Sequence, residues 1–289
     1  MTSHDVVAWL RKLLKMKRVG HGGTLDPSVA GVLPVALGKA TRLLEYLLVA
    51  DKGYRCEMVL GLVTSTQDLD GQILEKNPVT KEQLSNLPGV LKQFTGEIEQ
   101  VPPMISAVRY QGKRLYRLAH QGIEVERSPR RVTIYQLKVL DTLLDKEKYI
   151  IRYDVTCSKG TYIRTLCHDI GRHLGCGASM SFLLRIKTGN FLLKDSYTLE
   201  EIQRLWEKGQ KDFLLPMTDI LSIPSIMIGQ RDALMIMKGK QLQLDTLSTI
   251  ENPYNGQKVQ ILDNNGLVAI GELLRENQGF KLQPRKVLR

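Results

Sequence analysis

GHGGTLDPSVAGVLPVALGKAT, residues 20–41, sets one carboxylate, Asp26, in a run of glycine, threonine and proline, with His21 five residues earlier. Gly20, Gly22, Gly23 and Gly31 leave the backbone permissive, whereas Pro27 and Pro34 stiffen it locally. Such a stretch is a poor helix or strand interior and reads as a shaped loop. Loops held on a rigid scaffold are where chemistry is commonly placed. An isolated loop aspartate is more often a cap or turn residue, so the rest of the chain must decide.

Upstream, Thr2 or Ser3 can cap a helix reaching about Lys15, with Val6, Val7, Leu10, Leu13 and Leu14 on its apolar face. Downstream, Ala40, Leu43, Leu44, Leu47 and Leu48 recur at helical spacing. In YRCEMVLG, residues 54–61, Tyr54, Cys56, Met58 and Leu60 alternate with Arg55 and Glu57, the pattern of a half-buried strand. Thr80 and Gln83 form a capping box for a helix that Pro88 and Gly89 are expected to disturb. Residues 100–131 combine prolines, aromatics and many basic groups without a clean period. A strand is predicted over Tyr149–Cys157, and the turn SKG, 158–160, feeds a helix with an apolar stripe of Ile163, Leu166, Cys167, Ile170 and Leu174, closed by Gly175. Thr198 and Glu201 box a further helix ending near Gly209. Past Pro216 the texture turns to short strands, with a hairpin around DNNG. A boundary near residue 224 gives two domains, 1–224 and a small β-rich one at 225–289.

The 289 residues carry 41 Lys and Arg against 30 Asp and Glu, a net charge of +11. That excess favours a polyanionic partner, nucleic acid above all. There is no apolar run of membrane-spanning length and no signal-peptide pattern, so no membrane partner is expected. The four cysteines have no CxxC pair and read as reduced thiols of a cytoplasmic protein.

Several familiar sites are excluded. GKA at 38–40 has Ala40 where a phosphate-binding P-loop needs Ser or Thr, and Leu33 where it needs its first glycine. GASMS, 177–181, is not a nucleophile elbow. Cys167, His168, His173 and Cys176 match no zinc spacing, and Cys167 lies on an apolar stripe. DLDG, 68–71, lacks the rest of a calcium loop and reads as a turn. What remains is Asp26, with Tyr54, Tyr162 and Arg164 as groups that could converge on it. On spacing alone, ordinary half-buried packing is the default for both tyrosines.

GHGGTLDPSVAGVLPVALGKATRL closely resembles the catalytic signature of the TruB-type tRNA pseudouridine synthases. Similar stretches follow in family order: KGYRCEMVLG, GLVTSTQDLDG, QVPPMISAVRYQGKRLYRLAHQG, CSKGTYIRTLCHDIG and ASMSFLLRIKTG, spanning roughly residues 2–190. The tail after Pro216 looks more loosely like the family's PUA-like RNA-binding domain. The resemblance implies an α+β fold, with a mixed, mainly antiparallel sheet, flanking helices and a small PUA-like β-barrel.

It further implies conversion of uridine to pseudouridine at position 55 in the T arm of tRNA, without cofactor or metal. The family's nucleophilic aspartate falls on Asp26, its base-stacking tyrosine on Tyr54, its active-site tyrosine on Tyr162 and its carboxylate-pairing arginine on Arg164. The histidine that meets the T loop falls on His21, and the apolar residue lining the uracil pocket on Leu183. The carboxylate would act by covalent attack or by promoting loss of uracil to a glycal, and the sequence does not choose. Stacking on Tyr54 would contribute about 1–3 kcal/mol toward the cost of extruding the base. Lys113, Arg114, Tyr116 and Arg117 are candidates for clamping the RNA arm.

Three departures stand out. Family members carry a strand with a KPxG element before the TSHDVV segment, and here the chain begins at Met1-Thr2-Ser3, so a displaced start or a lost edge strand is expected. Gly22 stands where a threonine is common. Leu184 and Ile186 interrupt an RRT run, which is expected to weaken one basic contact. The expectation is a cytoplasmic monomer acting on tRNA. A guide-RNA-dependent relative and a non-catalytic tRNA-binding module are the alternatives.

Overall fold

The alternation of Tyr54, Cys56 and Met58 with Arg55 and Glu57 produces a strand, Lys52–Leu60, at the middle of the main sheet. The structure, a computed structural model, describes residues 1–145, 148–244, 250–276 and 279–289. Among these residues the sheet runs in the order Phe191–Leu192, Ala178–Thr188, Lys52–Leu60, Lys148–Cys157, Arg130–Asp145, Gly96–Gln100, with every neighbouring pair antiparallel. A two-residue strand, Ala30–Gly31, adds a parallel pairing to Ala178–Thr188. The sheet is therefore mixed and mainly antiparallel, as the sequence led us to expect.

Its two faces differ in chemistry. One carries the cross-strand ion pairs Arg55–Asp154 and Arg152–Glu57, which suit a solvated surface and contribute little to stability. The other carries Cys56, Met58, Ile151, Tyr153 and Val155, all buried beneath the helix Ile163–His173. Cys167 sits on that helix's inner stripe, with its sulfur 3.5 Å from the Cys56 sulfur and 3.1 Å from the Tyr153 hydroxyl. Packing explains this cysteine without a ligand. The helix starts at the edge of a cleft that Asp26 also borders, so the covered face of the sheet fixes where its first turn points.

The two capping boxes read in the sequence form, Thr80 with Gln83 and Thr198 with Glu201, and the first helix is capped by Thr2 and not Ser3, in a third box with Asp5. One local expectation is corrected. Pro88 and Gly89 do not break their helix, which runs over Lys81–Gln93. Both face solvent, while Leu87, Val90 and Leu91 are buried on the other side, so packing outweighs the lost backbone hydrogen bond. The aperiodic stretch 100–131 folds as a short hairpin, Arg109–Tyr110 with Lys113–Arg114, followed by the helix Leu115–His120.

From residue 225 onward the described residues form a second sheet of five strands, in the order Ser225–Met227, Gln257–Asp263, Gly266–Arg275, Phe280–Val287, Leu242–Leu244. Its hairpin turns at the DNNG tetrapeptide, where the Asn265 N–H donates to the Asp263 carboxylate. The sheet curls as a half-barrel, consistent with a PUA-like domain, and has its own core around Val259, Ile261, Val268 and Leu273. A separate cluster joins Leu267 and Ile270 of this sheet, and Leu288 just past its last strand, to Leu43, in the helical segment that follows the glycine-rich loop.

Candidate active site

The loop that carries Asp26 is tied at both ends by one side chain. Arg185, 1% exposed, donates from Nη2 to the Gly23 carbonyl (3.1 Å), from Nη1 to the Thr24 carbonyl (3.1 Å) and from Nε to the Val32 carbonyl (2.8 Å). Its own carbonyl accepts the Val32 N–H at 2.8 Å. Gly31 is obligatory here. Its φ is +121°, and a Cβ would lie 2.2 Å from the Arg185 carbonyl oxygen. A third anchor comes from Ser3, whose buried hydroxyl accepts the Leu25 N–H at 2.9 Å. Inside this frame Asp26-Pro27-Ser28-Val29 makes a tight turn, with Pro27 second and the Val29 N–H donating to the Asp26 carbonyl. The Asp26 carboxylate is left outward and half exposed.

Across the cleft stands the first turn of the helix Ile163–His173. The Gln100 side-chain amide pins the residue before it, accepting from the Tyr162 N–H (2.8 Å) and donating to the Tyr162 carbonyl (3.0 Å). Two residues on, Arg164 is 4% exposed, with Nη2 2.9 Å from the Asp26 carboxylate. The same guanidinium donates to the Thr66 and Ile105 carbonyls and lies 3.5 Å from the Asp68 carboxylate. Asp68 in turn accepts from the Thr66 hydroxyl and the Asp70 N–H. With four oxygen partners Arg164 has little freedom, so the carboxylate it holds is aimed.

Asp26 and Arg164 border a cavity of about 120 Å³ whose walls include Val29, Tyr54, Tyr162 and Leu183. Tyr54 and Arg185 are directly opposite each other on neighbouring strands, as are Cys56 and Leu183, which sets the tyrosine and the leucine side by side. Burial pushes the Tyr54 hydroxyl up to about 12, with the Arg185 charge pulling the other way. Tyr54 is thus a neutral ring at physiological pH. Burial, reinforced by the charges of Arg185 and His4, lowers the pKa of His21.

The structure therefore brings together five residues singled out in the sequence: Asp26, Tyr54, Tyr162, Arg164 and Leu183. His21 does not line the cavity. It lies on the short strand Val19–His21, with Nδ1 accepting the Gly23 N–H at 3.4 Å. Lys113, Arg114, Tyr116 and Arg117 also lie off the cavity walls, on the hairpin and helix of residues 109–120, with all three cations exposed. The expectation for the interrupted RRT run is revised in one respect. Arg185, which survives in it, is a buried support of the loop. Asp68, read as a turn residue, is also an ion-pair partner of Arg164. Gly22 has a local reason: a Cβ there would lie 2.7 Å from the Cβ of Leu47.

Comparison with known proteins gives the class first. Residues 11–163 match the TruB family pseudouridylate synthase N-terminal domain, and residues 164–222 match the tRNA pseudouridylate synthase B C-terminal domain. The chain belongs to the TruB family and is a pseudouridine synthase. A protein of Moorella thermoacetica named tRNA pseudouridine synthase B is 47% identical over 292 residues, covering 100% of this chain and 96% of that one. Its namesake in Heliobacterium modesticaldum is 45% identical, over 99% and 92% of the two chains. Among solved structures, a chain of an H/ACA RNP bound to a substrate RNA containing 2'-deoxyuridine aligns with a TM-score of 0.75 and 29% identity. A chain of a Cbf5-Nop10-Gar1 complex aligns with the same TM-score and 31% identity. Each alignment covers all of this chain and 82% of the other.

Proposed function

We propose that this protein converts uridine to pseudouridine at position 55, in the T arm of tRNA, with Asp26 as the reacting carboxylate. The observation that carries the reading is the Asp26–Arg164 pair at the mouth of a cavity walled by Tyr54, Tyr162 and Leu183. Supporting it, relatives named for action on tRNA match essentially the whole chain.

In this reading the target uridine leaves its stack and lies against the Tyr54 ring, with Leu183 and Tyr162 excluding water. The C1'–N1 bond breaks with Asp26 assisting, by attack on the substrate or by promoting a glycal. The uracil turns, C5 bonds to C1', N1 gains a proton and the C5 proton leaves to water. The sum is an isomerisation with no net oxidation, so the chemistry calls for no cofactor and no metal. His21 would support the opened T loop from beside the cavity. Lys113, Arg114, Tyr116 and Arg117 would meet the arm's phosphates and bases, with the protein working as a cytoplasmic monomer. Residues 1–224 are read as the catalytic domain and 225–289 as a PUA-like RNA-binding domain.

A guide-RNA-dependent mode is the second reading, favoured by the likeness to chains solved within H/ACA assemblies. One assay separates the two. Release of tritium from C5-labelled uridine in tRNA transcript, with this protein alone, is expected at one equivalent per tRNA. Release only in the presence of a guide RNA and accessory proteins would replace the first reading by the second. Tight tRNA binding without release would leave a binding module.

A further inference from the structure

Arg185 combines three observations. It is fully buried, and among the described residues no carboxylate lies within ion-pair distance of it. Its fork reaches carbonyls on both arms of one loop, Gly23 and Thr24 on the way in and Val32 on the way out. It also stands opposite Tyr54 in the strand register. A buried cation without a counter-ion is expensive, and apolar packing could fill the same space more cheaply. Its presence calls for a use that needs the fork.

We propose that Arg185 is a positioning residue for the Asp26 chemistry: it closes the loop into a ring and sets the reacting carboxylate and the stacking tyrosine at a fixed separation. The proposal rests on the reading of Asp26 as the reacting group. Arg164 holds the carboxylate from across the cleft, and Arg185 holds its backbone from below. A carboxylate on a loose loop could still meet Arg164 yet be misplaced for the sugar, and displacement by about 1 Å can cost about a hundredfold in rate. The planar fork matters more than the charge, because a lysine ammonium cannot span carbonyls on both arms.

Arg185→Lys tests this, since it keeps the charge and removes the fork. Three measurements are made on the full chain: single-turnover pseudouridine formation at saturating tRNA transcript, tRNA affinity, and amide hydrogen exchange. The rate at saturation is expected to fall about a hundredfold, with affinity changed less than about threefold. Exchange over residues 22–33 is expected to accelerate while the strands Lys52–Leu60 and Lys148–Cys157 stay protected. A support of general stability alone would instead loosen those strands too.

A rate within about threefold of wild type overturns the proposal. So does a loss confined to affinity. If Arg185→Lys fails to fold, Arg185→Gln takes its place, retaining two N–H donors and judged by the same criteria. Should wild type itself release no tritium from tRNA, the functional reading fails while the exchange measurement still decides whether Arg185 closes the loop.

Discussion

The loop of residues 23–32 and the hairpin and helix of residues 109–120 are both short, turn-rich pieces of chain, and they are held in opposite ways. The loop is fastened from beneath by Arg185 and Ser3, so its backbone is fixed before any substrate arrives. The hairpin is secured by Leu115 and Leu118, which are buried, and by backbone bonds such as the Tyr116 N–H to the Ser106 carbonyl. Its cations reach into solvent. In the proposed reading the loop breaks a bond, which demands placement to within about 1 Å, whereas the hairpin's attraction to phosphates works through charge and tolerates movement. The two regions meet at Arg164, which pairs with Asp26 and donates to the Ile105 carbonyl just ahead of the hairpin.

This contrast can be broken at several points. Asp26→Asn keeps the loop's shape and removes its chemistry, so turnover should drop by at least about a thousandfold while tRNA binding stays near wild type. Near-normal turnover would detach the loop from the reaction. Arg164→Lys acts on both regions, because lysine cannot serve two carboxylates and two carbonyls together. About a hundredfold loss of rate, accompanied by weaker tRNA binding, is expected. A loss in rate alone would show that the hairpin does not depend on that link.

Gly22→Thr restores the threonine common in the family and drives a Cβ into Leu47, at a cost of about 1–3 kcal/mol in thermal or denaturant unfolding. Unchanged stability would mean that the neighbouring helix, Leu44–Val49, moves aside easily. The gentlest change is Lys113→Ala with Arg114→Ala. Two lost phosphate contacts should flatten the plot of log affinity against log salt by about 1.4–1.8, with the rate on bound tRNA preserved. An unaltered slope would make the hairpin an ordinary solvated surface.

The sequence spoke clearly where the signal is local or where a motif names its residue. Capping boxes pair residues three apart, and both that the sequence shows, at Thr80 and Thr198, form. The half-buried strand at Tyr54 and the apolar stripe from Ile163 followed from periods of two and about 3.6. Asp26, Tyr54, Tyr162 and Arg164 stand out as candidates in the sequence itself, the resemblance supplies their roles and adds Leu183, and the five share one cavity and its rim. Gln100, Asp68, Ser3 and the inward role of Arg185 went unread. Gln100, Ser3 and Arg185 hold backbone groups far away in sequence, and backbone partners leave no residue-type pattern to detect. Pro88 misled for the complementary reason: its local preference was plain, and the burial of Leu87, Val90 and Leu91 overrode it.

Arg185 follows its Gly23 partner by 162 residues, so the distance along the chain is also an interval of time. At a translation rate of about 5–20 residues per second, Gly23 is added roughly 8–30 s before the arginine that closes the loop. The buried face of Arg164 comes only slightly earlier, 138 positions after Asp26 by their numbers. For most of that wait Asp26 has neither its floor nor its partner. A growing chain therefore carries this loop unfastened until the strand Ala178–Thr188 has been made.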